Sequence, residues 1–452
     1  LAAVKFQKRV SNGKCTLGAL CSELYHITFM PRKKANRVRG DEATCDPLET
    51  ASVISLASEE SETPTQSLGD VDDTAVLQCL LDRVNAASEA LTEKRPDTRV
   101  KALTFLINSF RSNYLCLDDT WNYISTFIDG IEHVLKKGRT LDQTLGAECL
   151  AVFCLQCDCN ITEWFIKFFP ILDTVVRDSS AACSFRSACA TTLAVMQLLA
   201  GSCDLVSPVD IMKTFEIVFR GSCLKGDGKA PNLDPALETL HVVSLRAWGL
   251  LYTFLTEIDV GPVGKALLPT VNSLLQGNNV DMRIMAGETA ALIYERIRNE
   301  VDERYRGPTY TDLVRLLNTL ATDGTKSRSK IDRKRQRHSF RDILDAVTQS
   351  DLTETSVNLG SEVLVLSSCE EHFCYDILCT LLKGGLIRHL QQNCQVREIF
   401  GLGAPISVTS SMLDRRSAKN QRRLANLYAS KMRTQKLSSR RDRRSTVTAD
   451  YD

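Results

Sequence analysis

The sequence predicts an all-α protein: an armadillo/HEAT-like helical-repeat solenoid with a disordered acidic N-terminal segment and a basic C-terminal helical tail. From Ala75 onward, apolar residues recur at positions i, i+3, i+4 and i+7, the spacing of one helix face. The predicted helices form pairs that recur every ~40–45 residues, as armadillo and HEAT units do. No run of alternating strand pattern bounded by hairpin turns is found. An ordinary globular all-α domain is the competing interpretation.

Residues 1–73 are predicted to form a disordered lead in front of the helices. Met30, followed by Pro31 and three basic residues, resembles a natural start. We therefore expect residues 1–29 to lie outside the natural protein, and a weak transit peptide is the alternative interpretation. Residues 41–73 contain ten acidic residues and no basic one. Low hydrophobicity combined with like charge predicts disorder.

The helical-repeat domain is predicted to extend over residues 74–390. Its first two apolar faces consist of Leu77, Leu80, Leu81 and Val84, and of Leu103, Leu106, Ile107 and Phe110. Further faces occupy residues 124–135, 145–155, 164–176, 189–199, 209–219, 237–255, 267–275 and 282–297. Gly or Pro marks the predicted connectors, which are Gly138, Pro170, Gly201, Pro208, Gly261-Pro262, Gly277 and Gly307-Pro308. Residues 221–235 are the longest interruption and predict a surface loop.

Length and composition favour a large soluble body. The chain has 452 residues with only 12 prolines and 23 glycines. No stretch of about 18 consecutive apolar residues is present, so we expect no membrane partner. Most of the seventeen cysteines lie in apolar, helix-like segments rather than in a short loop-rich frame. This placement favours reduced thiols and a cytoplasmic or nuclear location, or both.

Four cysteines close together in the sequence are the main candidates for a metal site. They are Cys149, Cys154, Cys157 and Cys159. A zinc site normally needs a second ligand pair at matching spacing, and none follows. Leu150, Cys154 and Cys157 share a helical spacing, so the thiols can face the core as small apolar groups. We therefore predict no metal site.

No catalytic constellation is found in the sequence. The P-loop, HExxH, GxSxG and dinucleotide-binding motifs are missing. Gly401-Leu402-Gly403 lacks a preceding strand and a phosphate-binding Lys, which favours a turn at a helix end. Cys369-Glu370-Glu371-His372 is the nearest to a reactive cluster, but it is more typical of a helix start with first-turn carboxylates. We predict a non-enzymatic protein without catalytic residues, cofactors or a small-molecule substrate.

A strongly basic segment near the C-terminus is the most informative feature of the chain. Residues 414–444 contain twelve Lys or Arg against two acidic residues, although the whole chain has a net charge of +1. A narrow apolar stripe from Leu424 to Met432 predicts a helix that orders on a partner. Membranes and calmodulin also bind such helices, but the stripe lacks Trp or Phe anchors, which favours RNA. The predicted RNA-binding residues are Arg415, Arg416, Lys419, Arg422, Arg423, Lys431, Arg433, Lys436, Arg440, Arg441, Arg443 and Arg444.

Two further sets of residues accompany the basic segment. A secondary basic patch consists of Lys326, Arg328, Lys330, Arg333, Lys334, Arg335 and Arg337. A phosphate-contacting surface and a solvated inter-helix loop or nuclear-localisation signal are equally good interpretations of this patch. Ile399, Phe400 and Leu402 are predicted to anchor the base of the tail to the last solenoid helix, because Phe400 is the largest apolar group at that junction.

Several motifs, in this order, resemble the interferon-related developmental regulator family. Upstream they are Leu135-Lys136-Lys137-Gly138, residues 285–293, Leu320-Ala321-Thr322-Asp323 and the basic residues of 326–341. Towards the C-terminus they are Gln391-Gln392-Asn393, residues 399–403, residues 420–424, residues 427–436 and residues 439–443. The resemblance covers residues 75–444. It implies a helical-repeat N-terminal domain over 74–390 and the family's basic C-terminal domain over 391–446.

The resemblance also implies a function. Family members include ribosome-associated translational repressors, so the solenoid is expected to dock on the ribosome while the tail enters an rRNA-lined channel and represses translation. The alternative that the family suggests is a nuclear transcriptional co-regulator, which scaffolds histone-deacetylase corepressors during differentiation on the concave solenoid face. The implied partner is the ribosome and its rRNA in the first case, and corepressor proteins in the second.

Overall fold

The computed structural model describes residues 73–117, 121–157, 161–201, 206–322, 330–349, 354–360 and 362–405, with the backbone alone for 73–76, 330–334 and 349. The described residues divide into two compact units, a smaller one that includes residues 73–82 and a larger one from Arg83 onward. Of the smaller unit only residues 73–82 are described, so most of the predicted acidic lead lies outside the described residues. The architecture below is that of the larger unit, from Arg83 onward.

As far as residue 349, the secondary structure of the described chain consists of helices joined by turns and loops. Their bounds are α1 Asp73–Glu89, α2 Pro96–Ser112, α3 Ile124–Lys137, α4 Thr140–Cys154, α5 Ile161–Arg177, α6 Cys183–Ala200, α7 Pro208–Phe219, α8 Pro235–Tyr252, α9 Glu257–Leu275, α10 Val280–Glu300, α11 Tyr310–Thr322 and α12 Lys330–Gln349. In α1, Val84 is buried but Leu77 is 45% exposed, so the predicted apolar face holds only towards the end of that helix. The predicted loop at 221–235 is confirmed between α7 and α8.

Side-by-side packing of the even-numbered helices organises the array. α2 packs against α4, α4 against α6, α6 against α8, α8 against α10, and α10 against α12. We call this set the even-numbered row. Each odd-numbered helix from α3 to α11 packs against the even-numbered helix that follows it in the chain. The arrangement confirms the predicted helical-repeat architecture, because each helix pair contacts its neighbours in sequence.

The sequence of each helix explains which set it joins. Helices α4, α6 and α8 have buried residues on most of their sides, including Trp248 and Tyr252 in α8. Helices α3, α5 and α11 instead combine one apolar stripe with a polar face. A helix that is apolar all round must be covered on several sides, whereas an amphipathic helix leaves one face in water.

Two of the predicted connectors are wrong. Pro170 lies inside α5, and Gly261-Pro262 lies inside α9. Both prolines are exposed. Water can therefore pair with the carbonyl oxygens that lose their helical hydrogen bond, and the helices continue. Gly138 and Gly201 do follow the last residues of α3 and α6, as predicted.

After α12 the chain forms a small antiparallel hairpin. Strand β1 (Thr355–Asn358) pairs with β2 (Val363–Leu366), with Thr355 opposite Leu366. This hairpin was not predicted from the sequence, and it is a small addition to the all-α fold, which the structure confirms. The alternation was hidden because all four residues of β2 are apolar, and only their burial alternates.

Three further helices return to the even-numbered row. They are α13 (Cys369–Leu382), α14 (Leu386–Gln392) and α15 (Cys394–Ile399). α13 contacts α2, α4, α8 and α10, and α14 contacts α2, so these helices cover part of the row. The predicted domain boundary between residues 390 and 391 lies inside α14. Among the described residues, no helix has the length and apolar character needed to cross a membrane.

Candidate functional site

One buried arginine holds the segment that leads into the basic C-terminal residues. Arg397 of α15 is 0% exposed, and it forms an ion pair with Glu362, the residue before β2. Its guanidinium group also donates hydrogen bonds to carbonyl oxygens of Leu390 at 2.8 Å, Leu402 at 2.8 Å, Gly403 at 2.9 Å and Ala404 at 3.2 Å. We call this set of contacts the Arg397 clamp.

The Arg397 clamp connects the end of α14, the hairpin and the turn after α15. A buried guanidinium group stabilises a fold only when its donors find acceptors, because its desolvation is costly. Here one carboxylate and four carbonyl oxygens supply them. Gly401 and Gly403 have φ angles of +65° and +69°, which favour glycine and confirm the predicted turn at a helix end. The clamp therefore fixes the chain at 402–404, just before the described residues end at 405.

Asn393 attaches the start of α15 to the end of α4. Its Oδ1 accepts a hydrogen bond from the Val396 backbone N–H at 3.2 Å, which caps the helix. Its Nδ2 donates to the Leu155 carbonyl oxygen at 2.5 Å. Nearby, the Gln395 amide donates to the Cys157 carbonyl oxygen at 2.7 Å. The α15 helix is therefore tied to residues about 240 positions earlier by side-chain hydrogen bonds to backbone groups.

His389 connects α14 to α2 through a buried hydrogen bond. Its Nε2 lies 3.0 Å from the Phe110 carbonyl oxygen, and its Nδ1 lies 3.2 Å from the Asn393 amide. Nε2 must carry the proton and Nδ1 must accept, so the imidazole is neutral. Burial lowers the pKa of His389 to about 4, which is consistent with this state at neutral pH.

The connection between α13 and α14 packs directly on the last turn of α2. Arg111 donates through Nε to the Leu381 carbonyl oxygen at 2.7 Å and forms an ion pair with Glu148 of α4. Gly385 lies so close to the Arg111 carbonyl that a Cβ atom would overlap its oxygen, whereas a Cβ at Gly384 would meet nothing. The close approach therefore requires glycine at residue 385 only.

The predicted tail anchor lies at the same junction. Ile399, Phe400 and Leu402 are half-buried, and the Phe400 ring meets the Tyr375 ring edge-on with centroids 6.4 Å apart. Their anchoring role stays a prediction. Arg397 was not predicted from the sequence, because its residue type does not distinguish a buried arginine from an exposed one. Its position beside the apolar residues Val396 and Ile399 was the available signal.

The predicted RNA-binding residues, from Arg415 to Arg444, all lie outside the described residues. The same is true of Lys326 and Arg328 in the secondary basic patch, and the side chains of Lys330, Arg333 and Lys334 are not described. Their part in binding stays a prediction.

Two residues of the secondary basic patch can be placed. Arg335 and Arg337 are exposed on α12, and Arg335 forms an ion pair with Asp281 of α10 at 2.6 Å. Between them Gln336 is 2% exposed and accepts a hydrogen bond from Arg283 at 2.8 Å. From Lys330 onward the backbone of the patch is helical, so its interpretation as an inter-helix loop is wrong there, and the helix contacts α10 through Arg335 and Gln336. The phosphate-contacting and nuclear-localisation interpretations stay predictions.

The candidate metal cysteines belong to the core where they are described. Cys149, Cys154 and Cys157 are buried, and Cys159 lies outside the described residues. Burial raises the pKa of Cys154 to about 12, so its thiol keeps its proton at neutral pH. In the part of the chain that the structure describes, no group of three or more His, Cys, Asp or Glu residues is arranged to hold a metal ion.

The segment from Cys369 to His372 is a helix start, as predicted. The Ser368 hydroxyl accepts from the Glu371 backbone N–H at 3.2 Å, and the Glu371 carboxylate accepts from the Ser368 N–H at 3.2 Å. This reciprocal pair is a capping box.

Two family models match the chain. The one described as interferon-related developmental regulator matches residues 50–348, and the one described as interferon-related protein conserved region matches residues 393–445. Interferon-related developmental regulator 2 of Mus musculus is 33% identical over 384 residues, which cover 83% of this chain and 86% of that protein. Interferon-related developmental regulator 1 of Homo sapiens is 32% identical over 362 residues, which cover 78% of this chain and 79% of that protein. The second family match begins at Asn393 and includes Arg397.

Proposed function

The chain belongs to the interferon-related developmental regulator family, and from this premise we propose that it is a non-enzymatic regulator that binds the ribosome and represses translation. The basic C-terminal segment makes the main contact with rRNA, and the helical-repeat body docks beside it. The observation that carries the proposal is the concentration of charge in residues 414–444, with twelve Lys or Arg against two acidic residues. Repression of translation implies a cytoplasmic location, whereas the corepressor alternative implies the nucleus.

Electrostatics supports RNA as the partner of this segment. Arginine and lysine neutralise backbone phosphates and release their counterions, which drives binding without sequence specificity. Arginine predominates among the twelve residues. Its planar guanidinium group pairs with phosphate oxygens and stacks on exposed bases, both of which rRNA offers.

The Arg397 clamp supports a joint action of body and tail. The chain is fixed at residues 402–404, and the first predicted RNA-binding residue, Arg415, follows after about ten positions. A short connection keeps the effective concentration of the tail near the docked body high, so the two contacts reinforce each other. The corepressor alternative would instead use the concave face of the solenoid, and the basic segment would then act as a targeting signal.

Sedimentation with salt-washed ribosomes tests the proposal. We expect the full chain to travel with ribosomes, and a version ending at Leu413 to remain in the supernatant. Charge reversal at Arg422, Arg423, Lys431, Arg433 and Lys436 should abolish association while circular dichroism and thermal unfolding stay unchanged. The matched control reverses five exposed lysines of the body, which are Lys94, Lys101, Lys137, Lys225 and Lys229. Equal losses in the two charge variants would contradict a specific role of the tail.

Salt dependence distinguishes the two candidate partners. If the tail makes about six to ten phosphate contacts, affinity should fall by roughly 10³–10⁵-fold between about 50 and 200 mM salt. A protein–protein scaffold should lose much less. If neither version of the chain travels with ribosomes at low salt, translation is the wrong process, and histone-deacetylase corepressors become the partners to test.

A further inference from the structure

A cavity of about 380 Å³ lies between the even-numbered row and α13. Residues of α8, α10, α12, β1 and α13 line it, and Met285, Ile343 and Phe373 are among its apolar side chains. Pockets for small organic ligands have volumes of ~300–1,000 Å³ with mostly apolar walls and a few polar groups. The cavity has the size and the walls of such a site.

The charged groups that line the cavity are only partly paired: Asp342 contacts His338, and Arg246 donates a hydrogen bond to the Thr380 hydroxyl at 3.5 Å. Glu288 and Asp376 form no side-chain hydrogen bond or ion pair within the described residues. The third carboxylate, Asp342, pairs with His338 at 3.0 Å. Arg246 supplies the only guanidinium group lining the described cavity, and its buried Nε has no hydrogen-bond partner. Three carboxyl groups against one guanidinium group give the cavity an excess of negative charge once Glu288 has lost its proton.

The groups around Glu288 determine the charge of its carboxyl group. Burial, and then the neighbouring Asp376 carboxylate, raise the pKa of Glu288 to about 7. Charged and titratable groups from three helices act on this carboxyl or line the same cavity: Arg246 on α8, Arg335, His338 and Asp342 on α12, and Cys369, His372 and Asp376 on α13. Carboxylates that are shielded from water and unpaired are costly, and a cation between them removes that cost.

We propose that this cavity binds an aliphatic diamine or polyamine, with one ammonium group held between the carboxylates of Glu288 and Asp376. An ammonium group has three donors and no acceptor, which matches two carboxylates that accept no hydrogen bond. The methylene chain lies against Met285 and Phe373, and the second ammonium group points towards Asp342. The cavity lies outside the basic tail, so this binding does not depend on the proposed contact with rRNA.

Calorimetric titration of the full chain tests the site, with putrescine and spermidine as ligands at about pH 8. We expect both amines to bind and the uncharged analogue 1,4-butanediol not to bind. Glu288→Gln keeps the shape of the side chain and should weaken binding by about 30-fold or more, since losing a buried charge partner costs at least ~2 kcal/mol. Asp376→Asn should act in the same direction. Glu303→Gln removes an exposed carboxylate elsewhere and should leave the affinity unchanged.

Proton release provides a second measurement that a merely structural glutamate would not give. At about pH 6.5 part of Glu288 is protonated, so a bound cation should expel that proton. The measured heat should then depend on the ionisation enthalpy of the buffer, and this dependence should vanish in Glu288→Gln. Absence of amine binding at pH 8, equal binding of the diol, or unchanged affinity in either cavity variant would overturn the proposal.

Discussion

The C-terminal helices meet the even-numbered row in two places that differ in how buried polar groups are satisfied. Where α14 and α15 meet α2 and α4, the side chains of Arg397, Asn393 and His389 are 0% exposed and hydrogen-bonded. Where α13 meets α8 and α10, Glu288 and Asp376 line a cavity without hydrogen bonds. The first place stabilises the fold. The second keeps carboxylates at a cost in stability, which is typical of binding sites.

Arg397→Met should remove most of the stability of the first contact. The change leaves Glu362 and several carbonyl oxygens without a donor, so we expect the free energy of unfolding to fall by about 3–5 kcal/mol. Urea denaturation measures this loss, and limited proteolysis should show faster cleavage in residues 399–405. Phe400→Ala at the same junction removes a half-buried ring and should cost only about 1–2 kcal/mol. Equal losses would mean that apolar packing, rather than the Arg397 clamp, holds the junction.

Gly385→Ala separates close packing from hydrogen bonding at the first contact. A methyl group at this position overlaps the Arg111 carbonyl oxygen, so backbone must move and we expect a loss of about 2 kcal/mol. Gly384→Ala is the matched control, because a Cβ there meets no atom. Its effect should stay within about 0.5 kcal/mol. Indistinguishable thermal unfolding of the two variants would contradict the close approach of α2 and the α13–α14 connection.

Acidification should act in opposite directions at the two places. The pKa of His389 is lowered from 6.5 to about 4, so the unfolded chain binds this proton first and stability falls as the pH drops below 6.5. The expected loss at pH 5 is about 2 kcal/mol. The pKa of Glu288 is raised from 4.5 to about 7, so its contribution to stability falls as the pH rises through that range.

Unfolding midpoints between about pH 5 and pH 8 measure both effects. His389→Gln should remove the loss of stability at acidic pH. Glu288→Gln should raise the unfolding midpoint at pH 8 while changing it little at pH 5. Parallel pH profiles for the three proteins would contradict the assignment of these two groups.

Local spacing explains why the repeat architecture could be predicted from the sequence. The i, i+3, i+4, i+7 pattern depends only on neighbouring residues, and the faces at 103–110 and 282–297 are helical as expected. The connectors predicted at Pro170 and Pro262 were wrong because proline, from its residue type alone, predicts the end of a helix. Its cost inside a helix depends on whether the freed carbonyl meets water, which is a property of the packed structure.

The candidate sites depended on contacts that the sequence does not reveal. Arg397 and Glu362 are separated by the whole of β2, α13 and α14, and Glu288 meets Asp376 only because α13 returns to α10. From its residue type Arg397 is expected to be exposed, because arginine is almost never fully buried unless it is paired. Composition alone identified the basic segment, because charge density needs no tertiary structure.

The return of α14 to α2 has a consequence for the order in which this protein matures. The Arg111–Leu381 and Phe110–His389 contacts join residues 270 and 279 positions apart. In an ordinary repeat protein each unit touches only its neighbours, so folding can begin anywhere and spread. Here helices near the C-terminal end of the described residues supply partners for carbonyl groups of α2, which is synthesised much earlier. A nascent chain therefore completes this unit only after residue 397 has emerged, and the finished array should melt in one cooperative transition rather than repeat by repeat.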